Sequence, residues 1–291
     1  MNNRGIRVLL QRFSLSLRMT GNGLRKWLRS INFYTVIFFT FLFWYLFTWN
    51  IKGLAGNSGY GITPYLLPHF FSDSVFEIYG LLMLVLLTCD APFLDESRFY
   101  SISRSDRTAW AIGKMIYIVA VNVIFQVILF VSQVIVLLPY ISFSDKWGDV
   151  LYTAAENPSS LSGYSGYGSI SEEIVSKMMP MEALGKQMIL CIMFGSVIGA
   201  MIFLMNGLIR KTAGSVIMAG GVLASNFLTQ IDLLYGTDYA FIFFFKWMNL
   251  NEYLTGRYDF GENLLWLVGM FLVFAVISCI CTAKSWIKTT E

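Results

Sequence analysis

The sequence predicts an all-α integral membrane protein with six transmembrane helices, and three observations carry this prediction. The chain of 291 residues is 56% hydrophobic and only 13% charged, whereas soluble proteins average about 25% charged residues. Several apolar runs are long enough to cross a hydrocarbon core of about 30 Å. The basic residues flank these runs, which argues against nucleic-acid binding.

The N-terminal residues 4–19 predict an amphipathic helix that lies in the headgroup layer. Its apolar residues fall within one helical stripe, and arginines point elsewhere. These apolar residues are Ile6, Leu9, Leu10, Phe13 and Leu17. The alternative is an ordinary helix packed on the rest of the protein. The sequence Gly21-Asn22-Gly23 is expected to end the helix.

The six spans and their connections follow from the apolar runs. The spans are predicted at residues 31–49, 75–89, 112–140, 187–209, 213–235 and 263–282. Residues 141–185 form the largest polar segment and are predicted to be an outer loop, and the composition of residues 159–169 at its centre is typical of a flexible loop. Residues 236–262 contain an aromatic run too short to span, which predicts a re-entrant or interfacial hairpin. Glu77 is expected to cap span two, and the whole of 1–291 is predicted to form one transmembrane domain.

The distribution of basic residues predicts the orientation. Of the 21 Lys and Arg residues, 15 lie at the N-terminus, in residues 90–115, in the Arg210-Lys211 turn and in the tail. The alternate loops hold the other 6. The positive-inside rule therefore places both termini and the 90–111 loop in the cytoplasm, and 141–185 and 236–262 outside.

Amide side chains recur within two of the predicted spans. In span three their spacing puts them within about 40° on one helical face, and span five carries a second pair. These residues are Asn122, Gln126, Gln133, Asn226 and Gln230. Amides in hydrocarbon need partners, so this face is expected to contact protein or water. Helix–helix hydrogen bonding and the lining of a translocation path both fit the pattern.

Small residues four apart provide a weaker signal for close helix packing. The pairs are Gly195 with Gly199, and Gly220 with Ala224.

The motifs of several enzyme classes are absent from the sequence. No Gly-x-x-x-x-Gly-Lys-Ser/Thr sequence occurs, so the chain is not expected to bind ATP itself. His69 is the single histidine and is interpreted as a loop residue. The four cysteines lack metal-ligand spacing. We therefore expect no catalytic residue, metal site or cofactor in this chain.

Residues 90–111 combine charges with aromatic side chains between two apolar runs, which is typical of a partner-binding surface. The candidate contact residues are Pro92, Phe93, Phe99, Tyr100, Arg104 and Arg107. A solvated loop with aromatics in the headgroup layer is the alternative.

The sequence Asp90-Ala91-Pro92-Phe93, followed by Ser103-Arg104, Trp110 and Gly113-Lys114, resembles the loop after span two in permease subunits of bacterial type-2 ABC exporters that handle peptides or antimicrobials. The order of N-terminal helix, six spans and short hairpin is similar as well. The 141–185 segment is longer than in the compact family pattern.

The resemblance implies a set of partners and a location. A separate ATPase subunit, which holds ATP and Mg²⁺, would contact the 90–111 loop and the N-terminal helix. A second permease copy or paralogue would complete the transporter in the bacterial cytoplasmic membrane, and the cargo would be a peptide, antimicrobial or amphiphile. The alternatives are a non-transport immunity or sensing scaffold, and a membrane enzyme or ion-coupled carrier.

Overall fold

Every regular element that the structure describes is helical, as predicted. The computed structural model describes residues 3–91, 107–161, 163–164, 166–209, 212–235, 243–256 and 259–284, with the backbone alone at 3–10, 229–235 and 243. Within these residues the α-helices are α1 Asn3–Trp27, α2 Ile31–Ser58, α3 Leu67–Ser72, α4 Ser74–Thr88, α5 Arg107–Leu137, α6 Asp149–Glu156, α7 Glu172–Lys177, α8 Pro180–Leu208, α9 Ala213–Tyr235, α10 Phe243–Lys246, α11 Leu250–Leu254 and α12 Phe260–Ala283.

Four helices are long and apolar enough to cross a membrane: α2, α5 with its 3₁₀ extension to Tyr140, α8 and α12. The chain therefore has the character of a membrane protein. Helix α4 and the apolar part of α9, Ala213–Leu228, are shorter. That these two also cross, giving six spans, stays a prediction.

Capping residues set the ends of the helices, and several lie beyond the predicted span limits. Helix α2 begins after Ser30, whose Oγ accepts a hydrogen bond from the Phe33 amide at 3.3 Å. It continues past the predicted end to Ser58, where Gly59 adopts φ +74° and terminates it. Helix α8 starts at Pro180, before the predicted residue 187, because proline suits the first turn.

Helix α1 does not end at Gly21-Asn22-Gly23, contrary to prediction, but continues to Trp27. Its contact face requires small side chains, because a Cβ atom on Gly23 would lie 3.0 Å from the Tyr117 ring. On the same face, Ser16 donates to the Ala109 carbonyl at 2.8 Å, and Thr20 donates to the Gly113 carbonyl at 2.9 Å. Tertiary contact with α5 thus outweighs the low helix propensity of glycine.

The predicted apolar stripe of α1 is turned away from this contact where its side chains are described. Phe13 is 54% exposed and Leu17 is 46% exposed. The side chains of Ile6, Leu9 and Leu10 lie outside the described part. The helix therefore docks through Ser16 and Thr20, with Trp27 buried near its end, and leaves Phe13 and Leu17 uncovered.

Glycine permits close packing at the centre of the bundle, as predicted for Gly195 and Gly199. A Cβ atom on Gly195 would collide with the Asn122 side chain, and one on Gly199 would lie 2.5 Å from Ile118 Cγ2. Helix α8 thus contacts α5 closely. A Cβ atom on Gly220 would meet nothing within 4 Å, so this second pair makes no such contact.

The described part of 141–185 contains regular helical structure, which its polar composition does not predict. It contains α6, a 3₁₀ turn at Pro158–Leu161 and α7. Its apolar residues pack inward, and Trp147 Nε1 donates to the Met178 carbonyl at 2.8 Å. Dispersed residues such as Leu151 and Ile174, both fully buried, supply a core that the polar composition concealed. We call α3, α6, α7 and α11 together the cap.

The segment predicted as a hairpin contains the short helices α10 and α11. Its residues 236–242 and 257–258 lie outside the described part of the chain, so re-entry into the membrane stays a prediction. In the described part, the Phe244 ring lies 4.9 Å from the ring of Phe194 on α8. Helix α10 therefore packs against the bundle.

Substitution of Gly113 tests the docking of α1. Gly113→Val should weaken the α1–α5 contact by about 1–3 kcal/mol, because a Cβ atom there would lie 3.0 Å from the Ser16 carbonyl. Gly21→Val is the matched control, since nothing lies within 4 Å of its Cβ position. Hydrogen exchange of amides 11–27 should accelerate in the first variant only; equal protection in both would contradict this contact.

Candidate functional site: a coupling end and a polar interior

Most of the predicted coupling residues cannot be placed. Pro92, Phe93, Phe99, Tyr100 and Arg104 lie outside the described residues. Arg107 is described; it is the first residue of α5 and is exposed. The structure describes the two ends of the segment, at Ala91 and Arg107, and the residues that contact them.

A hydrogen-bonded clamp fixes the chain where the charged segment begins. Asn206, near the end of α8, donates from Nδ2 to the Ala91 carbonyl at 2.7 Å and accepts from the Gly214 amide at 2.7 Å. Ser215 donates to the Cys89 carbonyl at 3.0 Å, and Asn32 donates to Asp90. Residues from α2, α8 and α9 thus hold the end of α4.

Sequence reasoning missed Asn206. A usable signal was present, because an amide lies at the end of an apolar run, close to the Arg210-Lys211 turn. Its carbonyl partners, Cys89 and Ala91, lie 117 and 115 residues away in sequence, and no spacing rule identifies these.

The other end of the charged segment meets helix α1. Ala109, two residues into α5, accepts the hydrogen bond from Ser16 of α1. The exit of the segment and the docked α1 are therefore adjacent. The first turns of α5, which follow the charged segment in sequence, and the docked α1 thus lie together at one end of the bundle, which we call the α1 end.

The amide stripe of span three faces the protein interior, as predicted. Asn122, Gln126 and Gln133 are each 0% exposed. Asn122 Nδ2 donates to its own helix at the Ile118 carbonyl, 2.9 Å away. Asn122 Oδ1 and both polar atoms of each glutamine have no hydrogen-bond partner among the described residues.

These unpartnered amides bear on the two interpretations of the stripe. In the described residues none of the three bonds to a neighbouring helix, so they do not act as helix–helix links in this conformation. Each unpartnered group costs about 1–3 kcal/mol. Buried polar groups without a protein partner are usually satisfied by ordered water or belong to a functional position.

The amides predicted in span five are only partly described. Asn226 is half-buried and lines a small cavity that is also lined by Glu77 and Lys246. Only the backbone of Gln230 is described.

A buried ion pair joins α4 to α10, and sequence reasoning missed it. Lys246 Nζ lies 2.5 Å from Glu77 Oε2, and the two residues are 8% and 2% exposed. Glu77 therefore does not cap its helix as predicted. Asp73 does so, because its Oδ1 accepts from the amides of Val75 and Phe76. The sequence did contain a signal, because Glu77 and Lys246 each lie alone within an apolar stretch.

His69 is a core residue rather than a loop residue. It is fully buried in α3, and its Nδ1 accepts a hydrogen bond from the Ser171 amide at 3.2 Å. Its ring packs edge-on against Trp147 at 4.9 Å. Burial lowers the pKa of His69 to about 3. The neutral imidazole therefore joins α3 to the segment preceding α7.

A cavity of about 760 Å³ lies between the cap and the start of α8, with Tyr60, Lys146, Trp147, Asp149 and Tyr152 among its lining residues. No residue of the amide stripe lines it. Within the described residues no group of three or more His, Cys, Asp and Glu could hold a metal ion.

Comparison with known proteins identifies no relative: no family model, curated protein or solved structure matches the chain. Its function is therefore inferred from its own residues.

The burial of His69 predicts acid sensitivity. Because the folded pKa is about 3, below the ordinary value near 6.5, this contribution to stability is complete above pH 6.5 and is lost as pH falls towards 3. Between pH 7.5 and 5 the loss should be about 2 kcal/mol. His69→Asn keeps an acceptor for Ser171 without titrating, so its thermal stability should fall less over this range. Parallel curves for the two proteins would contradict the assignment.

The unpartnered amides predict an unusual response to apolar substitution. Gln126→Leu and Gln133→Leu should leave thermal stability unchanged or raise it by about 1 kcal/mol each, because an unsatisfied polar group is removed. Gln187→Leu is the matched control and should lower stability, since Gln187 Nε2 donates to the Met248 carbonyl at 2.9 Å. Destabilisation by the first two variants as large as that by the third would show that they have partners.

Proposed function

We propose that the chain is the membrane-spanning subunit of an ATP-driven transporter that exports a peptide, an antimicrobial or another amphiphile. A separate ATPase subunit would supply the energy and hold ATP and Mg²⁺, and this chain would contribute no catalytic residue. A second permease copy or paralogue would complete the assembly. Its place would be the bacterial cytoplasmic membrane, crossed six times with both termini in the cytoplasm.

The observation that carries the proposal is the convergence of two elements at the α1 end. Helix α1 is docked on the first turns of α5 through Ser16 and Thr20. Phe13 and Leu17 of the docked α1 remain exposed. Exposed apolar residues next to mixed charges are typical of a protein interface. A partner bound there would contact both elements.

The hydrogen-bonded clamp gives such a partner a firm attachment to the spans. Asn206 connects the end of α4 to α8 and to the start of α9. A displacement of the charged segment would therefore act on several helices rather than on one loop. Coupling between distant sites requires such contiguous packed elements.

The amide stripe is the candidate translocation path. Its three residues lie on a buried face of α5 without partners on other helices among the described residues. Neutral amides can donate and accept hydrogen bonds, so they would suit polar groups of an amphiphilic cargo once the helices separate. Asn226 would extend this path towards α10.

Co-purification with a candidate ATPase subunit, sought among the neighbouring genes, tests the proposal. Combined substitution of Phe93, Phe99 and Arg104 by alanine should abolish assembly and transport-coupled ATP hydrolysis, because the partner loses its main contacts. The control combines Tyr60, Phe143 and Tyr167→Ala, which are exposed aromatics remote from the α1 end. It should assemble normally.

Two results would count against the proposal at different levels. An ATPase that assembles equally with the triple variant and with its control would contradict the coupling surface at residues 90–111. A chain that purifies alone and binds no ATPase would contradict the proposed function itself and would favour a non-transport role.

A further inference from the structure

The Glu77–Lys246 ion pair is buried where an apolar contact would stabilise the structure better. Both side chains are removed from water, and they come from segments 169 residues apart. Replacement of buried ion pairs by apolar side chains is often neutral or stabilising. Stabilisation of this one conformation is therefore a weak explanation for the presence of a buried ion pair.

The carboxylate of Glu77 is only half used. Oε2 contacts Lys246, whereas Oε1 is buried without a partner among the described residues. Beside it lies a cavity of about 10 Å³, lined among others by Ser225, Asn226 and Phe245. This volume suffices for about one water molecule. The pair therefore borders a space that water could enter and enlarge.

The polypeptide around Lys246 is attached in two different ways. On its C-terminal side, neutral hydrogen bonds hold the chain to its neighbours: Gln187 donates to the Met248 carbonyl, and Ser171 donates to Asn251. Helix α10 itself is Phe243–Lys246, so Lys246 is its one polar side chain. The ion pair is thus the polar attachment of α10 to α4.

We infer that the Glu77–Lys246 pair is a latch that controls water entry between α4, α9 and α10. With the latch closed, Phe245 lies over Gly221, where an added Cβ atom would be 3.1 Å from the ring, and the cavity has a volume of only about 10 Å³. With the latch open, both charges are hydrated, and water reaches Ser225 and Asn226. Charged groups favour the hydrated state far more than apolar groups would, so the pair makes opening accessible while keeping the closed geometry specific.

Cysteine accessibility tests the latch in lipid nanodiscs, without ATP or a partner. Ser225→Cys places a thiol on the cavity wall, at a residue that is 6% exposed. A charged methanethiosulfonate reagent should modify it slowly. Modification should accelerate by about tenfold or more with Lys246→Met or Glu77→Gln, since either change leaves one buried group uncompensated. The chain without Ser225→Cys gives the background of the four native cysteines.

Restoration and matched controls make the test specific. The exchanged pair Glu77→Lys with Lys246→Glu should return the rate towards the slow value. Lys186→Met removes a partner of the exposed pair Lys186–Glu182 and should change nothing. Ser278→Cys, buried and remote from the cavity lining, should stay unreactive in every background.

Three results would overturn the latch. They are an unchanged rate at Ser225→Cys in both single-charge variants, a rate that stays high in the exchanged pair, and a parallel rise at Ser278→Cys, which would indicate general loss of folding. Because no ATPase is present, these outcomes are independent of the coupling experiment. The latch and the ATPase partner can therefore each be confirmed or rejected independently of the other.

Discussion

A polar group in the apolar interior of this chain must find a protein partner, because hydrocarbon offers no water. Asn206 meets this constraint fully, since its amide donates to the end of α4 and accepts from α9. Gln126 and Gln133 do not meet it in the described structure. Glu77 meets it in part, because Oε2 is paired with Lys246 whereas Oε1 has no partner among the described residues. Three parts of the bundle therefore differ in how their polar groups are satisfied: the clamp at Asn206, the amide stripe of α5, and the Glu77–Lys246 pair.

The sequence predicts where the apolar helices lie better than where they end. Hydropathy located α4 and α9 to within a residue of each predicted limit. It missed the last turns of α2 and the first turns of α8, because Gly59 and Pro180 fix those ends irrespective of hydrophobicity. Helix α1 was cut short for a related reason: Gly23 is a packing residue against Tyr117, whereas local propensity identifies it as a helix breaker.

The candidate site was predictable in part. Helical spacing alone put Asn122, Gln126 and Gln133 on one buried face. The cap was not predictable from composition, since its serines and glycines conceal buried residues such as Leu151 and Ile174. The pair of Glu77 with Lys246 was beyond reach for another reason. A contact between residues 169 positions apart depends on the tertiary arrangement of α4 and α10, which no local pattern encodes.

The two ends of the bundle differ in the kind of bond that holds them. At the α1 end, Asn206 and Ser215 make directional hydrogen bonds to backbone carbonyls, and their loss would leave buried acceptors unsatisfied. Such a clamp resists separation in any state. At α10, the contact is the ion pair of Glu77 and Lys246. When this pair separates, water can hydrate each charged group in place of its partner. A force applied at the α1 end would be transmitted through the hydrogen-bonded clamp to the helices. The helices would then separate where water can hydrate the charged groups that join them. Opening is therefore expected at the Glu77–Lys246 junction rather than at the clamp.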